Sequence, residues 1–337
     1  MSNLFKKAAV ICDHHIGLKN NSIVHNDDCY EFIKWFVNTA KQNQCDTVII
    51  AGDWHNHRAS INILSLSYSL RCLELLNNNF DQTFMIPGNH DLFYRDRRDI
   101  SSVEWAKHLP NITIINNIET YDDVSFCPWL IGDDYKKLRK LNSKYVFGHF
   151  ELPNFFMNSL VKMPQHGEHT TDDLLNVGDV FSGHFHKRQS SGNIHYIGNT
   201  FPHNYADAWD DERGMMILKW GDQPQYIAWP DQPTFRTLSL SQLIDDSSSI
   251  LKPNQYLRVS LDIDISFEEA SFIKETFVND YNLRELKLIP SKKSFSMDED
   301  IEIKPFESID QIVSKNLIEI DSGSFNKNIL LSIYNGL

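Results

Sequence analysis

The sequence predicts an α/β fold: two packed sheets, then a small α+β domain, then a helical tail. Three observations carry this. Strand and helix signals alternate through the first 90 residues. Strand signals dominate from there to Trp229. The segment Pro230-Asp231-Gln232-Pro233 then interrupts the chain before a second, shorter pattern.

Ala8-Ala9-Val10-Ile11-Cys12 is a short apolar strand leading into Asp13 and His15. Between Asp27 and Gln42, Phe32, Ile33, Trp35, Phe36 and Ala40 recur at helical spacing. Thr47 to Ala51 is a second strand, Ile61 to Leu76 a second amphipathic helix and Thr83 to Pro87 a third strand. Helices of that length between strands imply parallel pairing through crossovers. Strands follow at Ile112 to Ile115, Val124 to Leu130, Tyr145 to Phe147, Asp179 to Ser182, Ile194 to Ile197, Met215 to Trp220 and Gln225 to Trp229, forming a second, mixed sheet. After the break, Tyr256 to Ile265 reads as a strand with Leu257, Val259, Leu261, Ile263 and Ile265 on one face. Phe267 to Asn279 is a helix and Leu283 to Ile289 another strand. Ser291 to Asp300 is a polar linker to two short helices, Glu307 to Ile320 and Phe325 to Tyr334. The expected domains are therefore 1–230, a small α+β cap over 231–292, and a linker with helical tail over 293–337.

The 337 residues are 41% hydrophobic and 23% charged, enough for a sizeable core and too apolar for wholesale disorder. No apolar run approaches the roughly 18 residues of a spanning helix, so no membrane association is expected. Met1 to Lys7 is polar and leads into a strand, unlike a signal peptide. Five scattered cysteines (Cys12, Cys29, Cys45, Cys72, Cys127) form no CxxC pair and read as reduced, so a cytoplasmic location is expected. A net charge of −13 argues against a passive, whole-surface nucleic-acid binder. It leaves room for an enzyme whose phosphate-binding charge comes from metal.

Histidine is frequent, at 14 residues. Five clusters each follow an apolar strand: Asp13-His14-His15, Gly52-Asp53, Gly88-Asn89-His90-Asp91, Gly148-His149-Phe150-Glu151 and Gly183-His184-Phe185-His186. In open α/β sheets, ligands bind at the carboxyl ends of strands. Aspartate and neutral imidazole suit Mn, Fe or Zn. One such tetrapeptide arises by chance in about 1 of 500 chains this long. Five in this order, each after a strand, do not.

The order D-x-H, GD, GNHD, GH, GHxH resembles the calcineurin-like metallophosphoesterase superfamily over residues 8 to about 230. Asp13-His14-His15-Ile16-Gly17 is similar to the start of the SbcD-like, Mre-eleven-type DNA repair nucleases. Gly148 to Glu151, His166-Gly167 and Gly183 to His186 resemble the recombination endonuclease subunit of tailed phages, which would place the chain in host cytoplasm. The resemblance implies a four-layer αββα sandwich and a dimetal DNA nuclease, exo- or endonucleolytic, within an SbcCD-like recombination and repair complex. One metal would be held by Asp13, His15, Asp53 and His186, the other by Asp53, Asn89, His149 and His184, with Asp53 bridging. The metals would be two divalent ions, Mn(2+) first, with Mg, Fe or Zn as alternatives. His90 would face the scissile phosphate and assist the leaving oxygen, and Asp91 would orient His90 through its ring nitrogen. The implied partners are DNA, an SbcC-like, Rad-fifty-type ABC ATPase bound by the tail, and a second copy of the chain through Asn20 to Phe36 and Ser60 to Leu76.

Other residues carry two readings. His14 points away from its neighbours and reads as a packing or surface histidine. The superfamily has an acid or histidine three residues after the second-cluster aspartate; here Asn56 stands there, flanked by His55 and His57. Either histidine, with Arg58, is a candidate for DNA contact or part of a polar loop. Arg95, Arg97, Arg98, Lys187 and Arg188 follow two of the clusters and either grip phosphates or form a solvated face. His166 and His169 belong to a loop near the crevice. Residues 295 to 337 hold eight acids and three lysines, so the tail will not bind DNA. Its apolar stripe of Phe306, Ile309, Val313, Leu317 and Ile320 must dock on the chain's own body or in a partner's groove. Two other functions remain: hydrolysis of another phosphate ester, a nucleotide or phosphoprotein, and a non-catalytic scaffold of the same fold. Protein phosphatases resemble GDxVDRG and GNHE, whereas this chain has Gly52-Asp53-Trp54-His55 and Gly88-Asn89-His90-Asp91. A scaffold would have lost ligands, yet all seven ligand positions hold competent residues.

Overall fold

Near-continuous apolar runs become central strands here, because both faces of each are covered. The computed structural model describes residues 3–157, 161–165 and 169–290. In chain order the strands are β1 (Lys7–Ile11), β2 (Thr47–Ala51), β3 (Thr83–Ile86), β4 (Ile112–Ile114), β5 (Glu119–Tyr121), β6 (Val124–Cys127), β7 (Tyr145–His149) and β8 (Asp179–Gly183). They continue with β9 (Gln189–Ser191), β10 (Ile194–Tyr196), β11 (Gly214–Lys219), β12 (Gln225–Ala228), β13 (Thr234–Ser239), β14 (Gln255–Leu261) and β15 (Glu285–Pro290). The longer helices are α1 (Ile23–Gln42), α2 (Ile63–Asn79), α3 (Leu240–Ile250) and α4 (Phe267–Asp280).

The first sheet has the order β12-β11-β1-β2-β3-β4, parallel from β1 to β4 and antiparallel at β11 and β12, so β4, β11 and β12 belong here and not to the second sheet in which the sequence placed them. The second has the order β5-β6-β7-β8-β10-β9, parallel through its centre with antiparallel edges. Their inner faces meet in one apolar layer, with Val10, Ile49 and Phe84 against Phe126, Phe147 and Phe181. α1 and α2 cover the other face of the first sheet through Phe32, Phe36, Leu73 and Leu76. The far face of the second sheet packs under loops and short helical turns through Leu138, Phe150, Leu174 and Tyr196. This makes the four layers expected, with the last built from turns instead of long helices.

The third sheet is all parallel, β13-β14-β15, with α3 and α4 as crossovers and its own cluster of Leu238, Leu243, Leu257, Val259 and Leu286. It differs from the sequence reading in three ways. β13 and α3 were not anticipated, although Ser239 and Gln242 form a capping box at the start of α3. β14 ends at Leu261, and Ile263 is exposed. Two short edge strands, β5 and β9, also escaped notice because three residues show no periodicity. β6 stops at Cys127 because Pro128 has no N–H to donate. All five cysteines are buried and free. Among the described residues no helix is long and apolar enough to cross a membrane. The proposed linker and tail, and His166, lie outside the described residues.

Candidate metal centre

Parallel pairing brings the carboxyl ends of β1, β2 and β3, and of β7 and β8, to one edge of the sandwich, and all five clusters emerge there. Four side chains of the clusters sit on left-handed backbone: φ is 52° at Asp13, 51° at His15, 55° at Asp53 and 88° at His184. Each such residue costs on the order of 1 kcal/mol, a strain held where it turns a side chain into the crevice. Two glycines permit the crowding. A Cβ on Gly52 (φ 92°) would lie 2.3 Å from His149 Nδ1, and one on Gly88 would lie 2.2 Å from Asp53 Oδ1.

Asp53 stands between two groups of ligands. Its Oδ1 accepts the backbone N–H of His90 at 2.8 Å, and its Oδ2 lies 3.6 Å from His15 Nε2 and 3.4 Å from His149 Nε2. On one side, His15 Nε2 and His186 Nε2 are 3.2 Å apart and each is 3.9 Å from Asp13 Oδ1. On the other, Asn89 Oδ1 lies 3.1 Å from His149 Nε2 and 3.0 Å from His184 Nδ1. The donor atoms of Asp13, His15 and Asp53 all lie within 4.8 Å of one another, as do those of Asp53, His149 and His184. Ligands at about 2.1 Å from one ion stand about 3 to 4 Å apart, so both groups fit a divalent cation with Asp53 shared.

The same groups are coupled strongly to one another by charge. Burial opposes ionisation of Asp53, yet the imidazoles of His149, His15 and His90 hold it well below the usual carboxylate range. Burial also opposes a charge on His149, but Asp53 outweighs it and pushes His149 up to about 9. His149 Nδ1 donates to the Ala51 carbonyl at 2.9 Å, which leaves Nε2 facing the centre. Burial keeps His15 well below 6.5 in spite of Asp53.

His90 is oriented by a different partner from the one expected. Its Nδ1 lies 2.7 Å from the Asn56 carbonyl, which can only accept, so Nδ1 carries the proton and Nε2 is available. The Asp91 carboxylate is fully buried and accepts the backbone N–H groups of Gly88 (2.9 Å), His55 (2.9 Å) and Trp54 (3.2 Å). Those donors saturate it, so Asp91 ties the second and third clusters together and does not touch the His90 ring. Burial, then the charge of Asp53, raises Asp91 to about 6.

Two of the DNA-contact candidates face inward. The His55 ring is buried between Ser102 and Ser69, each 2.9 Å away. Arg188 donates to the Ile197 carbonyl at 3.1 Å and stacks 4.4 Å over Tyr226. Arg97 pairs with Asp99, and Arg98 holds Asp134 and the Trp129 carbonyl. His169 anchors its own loop to Asp173 at 2.7 Å. His14 packs on Phe32 and Trp54 in the interior, 3.2 Å from Thr200. Toward solvent stand His57, Arg58, Arg95 and Lys187, the last 4.9 Å over the Phe156 ring. Arg58 is depressed by burial and by neighbouring Arg95, and among the described residues neither arginine makes an ion pair. The sequence reading missed His203, which follows no strand and no glycine motif but lies against His15 and His186.

Residues 6–226 match the calcineurin-like phosphoesterase family. The chain belongs to this family. Members of the calcineurin-like phosphoesterases work with paired metal ions, and the two groups around Asp53 provide for such a pair. The chain is also 26% identical over 215 residues to exonuclease subunit 1 of Enterobacteria phage T4. That match covers 61% of this chain and 62% of the phage protein, under two thirds of either. The solved nuclease MPE of Pseudomonas putida aligns with 53% of this chain and 61% of its own, at 17% identity and a TM-score of 0.29.

Proposed function

We propose that this phosphoesterase is a dimetal DNA nuclease, exo- or endonucleolytic, and the nuclease subunit of an SbcCD-like recombination and repair complex in the cytoplasm. The observation that carries the reading is Asp53 Oδ2, placed between His15 of one ligand group and His149 of the other. Asp13, His15, Asp53 and His186 would hold one ion, and Asp53, Asn89, His149 and His184 the second, with Mn(2+) the first choice. When bound, the pair supplies Lewis acidity toward a phosphate ester and raises the acidity of water.

The chain's own residues do the rest. His90 acts in its doubly protonated form: the Asn56 carbonyl holds Nδ1–H and keeps the ring in register, Nε2–H gives its proton to the leaving oxygen, and the ring ends as the neutral Nδ1–H tautomer. Arg58 and Arg95, like charges side by side, grip a neighbouring phosphate, with Lys187 and His57 further out. A cleft of about 180 Å³ lined by Trp129, Tyr135, His149 and Met163 receives an unstacked base. DNA as substrate and a partner subunit are supported by the phage relative, an exonuclease subunit; the partner proposed is an SbcC-like, Rad-fifty-type ABC ATPase. The proposed domains are 1–230 for catalysis, 231–292 as cap and 293–337 for the partner. A homodimer is proposed through α1 and α2, which expose Ile23, Val24, Ile63 and Leu70.

Labelled duplex DNA and bis(p-nitrophenyl) phosphate, each assayed with Mn(2+) and with chelator, test the reading. The wild type should hydrolyse both only with metal, and Asp53→Asn should hydrolyse neither. Turnover of a nucleotide monoester with intact DNA would favour another phosphate ester. No turnover of any of them by a metal-loaded chain would favour a scaffold.

A further inference from the structure

The ring of His203 is 1% exposed, and among the described residues neither of its nitrogens meets a hydrogen-bond partner. A buried imidazole left without partners loses its hydration with nothing in return, a loss on the order of 1–3 kcal/mol per polar group. The ring is aimed at a particular place. A nitrogen of His203 lies within 4.8 Å of ligand nitrogens of both His15 and His186, and its ring centre is 5.4 Å from each of theirs. The loop that carries it is clamped. Asp207 accepts the His203 backbone N–H at 2.8 Å and the Asn199 side-chain amide at 3.4 Å, and Arg213, itself buried, closes on Asp207 and Asp210. Packing alone would be served by an apolar ring at this position, since its other ring neighbours are Phe201 and His25, whose Nε2 is engaged by the His15 carbonyl.

We propose that His203 is a further ligand of the ion held by Asp13, His15, Asp53 and His186, making that position three-imidazole and selective for nitrogen-preferring Fe(2+), Co(2+) or Zn(2+), so that Mn(2+) stays the first choice only at the second position. This rests on the two-metal reading above. The second position has two imidazoles and two oxygen donors, Asp53 and Asn89, so the pair is asymmetric: imidazole suits Fe, Co and Zn, and carboxylate and carbonyl oxygen suit Mn.

The test is Co(2+) titration of the full chain, read by its visible absorption and by competition with a chelator. The wild type should bind two ions of unequal affinity with two spectral components. His203→Phe keeps the ring volume and should weaken the tighter ion by about tenfold or more and change its spectrum, with the other ion unaltered. The preference for Co(2+) over Mn(2+) at that position should shrink by a similar factor. His203→Asn, with a weaker donor, should fall between. Unchanged affinity and spectrum in a folded His203→Phe would overturn the assignment while leaving the two-metal reading intact. A wild type that binds fewer than two ions would overturn both.

Discussion

His90 and Asp91 are chain neighbours whose losses should look quite different. His90→Ala removes a half-exposed ring that bonds the Asn56 carbonyl and packs edge-on against His15, so the fold and both metal positions should survive. Its kcat on DNA, whose leaving group is a sugar alkoxide, should drop about 10²- to 10⁴-fold. On bis(p-nitrophenyl) phosphate, whose leaving group needs no proton, the drop should be small; equal losses on both substrates would rule out a proton-donating role. Asp91→Ala instead strands three buried backbone N–H groups and should lower stability by about 3 kcal/mol or more, read as a urea midpoint. Acid should expose other buried groups. Burial holds His14 and His55 down to about 3 and His25 to about 4. An unfolded chain titrates near 6.5, so between pH 6.5 and 4 only the unfolded form takes up these protons. Stability is whole above pH 6.5 and drains as the pH falls, by about 1.4 kcal/mol per unit for each histidine. Chelator-treated protein should therefore show a clearly lower urea midpoint at pH 5 than at pH 7, and equal midpoints would mean these rings are solvated.

The strand ends were legible for a simple reason. β1, β2, β3, β7 and β8 are short apolar runs, and each stops where a glycine, aspartate or histidine must leave the sheet. Their parallel order then fixes where those residues meet, while the choice of seven of them as proposed ligands came from the family resemblance. What the pattern could not carry was orientation. Nothing in Gly88-Asn89-His90-Asp91 says that the aspartate turns inward to backbone donors, or that a carbonyl 34 residues away, on Asn56, holds the histidine. His55 and Arg188 were misplaced for the same reason: a polar residue in a loop faces inward or outward according to partners from distant segments, Ser69, Ser102 and Tyr226. His203 lies on an irregular loop, where no periodicity exists to flag it. The turn after β3 supplies the prediction at this scale. Gly88→Ala would drive a methyl to 2.2 Å from Asp53 Oδ1 and 2.4 Å from its backbone nitrogen, so the shared carboxylate must move. The variant should fold and yet lose tight binding of both ions together, measured by metal analysis after desalting; loss of one ion alone would show that Asp53 is not shared.

At the level of the whole molecule, the third sheet carries ten acidic and six basic residues over 231–290, so in the proposed role as a cap it would present DNA by shape and not by charge. Arg236 pairs with Asp211 of the body and Phe235 packs on Tyr205, and a further polar contact lies on the side of α1. Arg284, beside β15, donates to Asp28 of α1 at 2.5 and 2.7 Å, and Lys19 lies 4.8 and 4.1 Å over the stacked rings of Phe235 and Tyr256. Asp28 is 7% exposed, and burial raises it against the pull of Arg284. Breaking one side of such a pair leaves a buried carboxyl uncompensated, a loss of about 3 kcal/mol or more, whereas removing both partners is milder. Arg284→Met should therefore destabilise the sheet more than Asp28→Asn combined with Arg284→Met does. The effect should be read by amide exchange in β14 and by urea unfolding. Because neither residue touches the ligand groups, the single variant should keep turnover of bis(p-nitrophenyl) phosphate while hydrolysis of long duplex DNA declines. If the two substrates fall in parallel, the cap stabilises the catalytic body and has no separate part in presenting DNA; if neither falls although β14 exchanges faster, the cap does not present DNA at all.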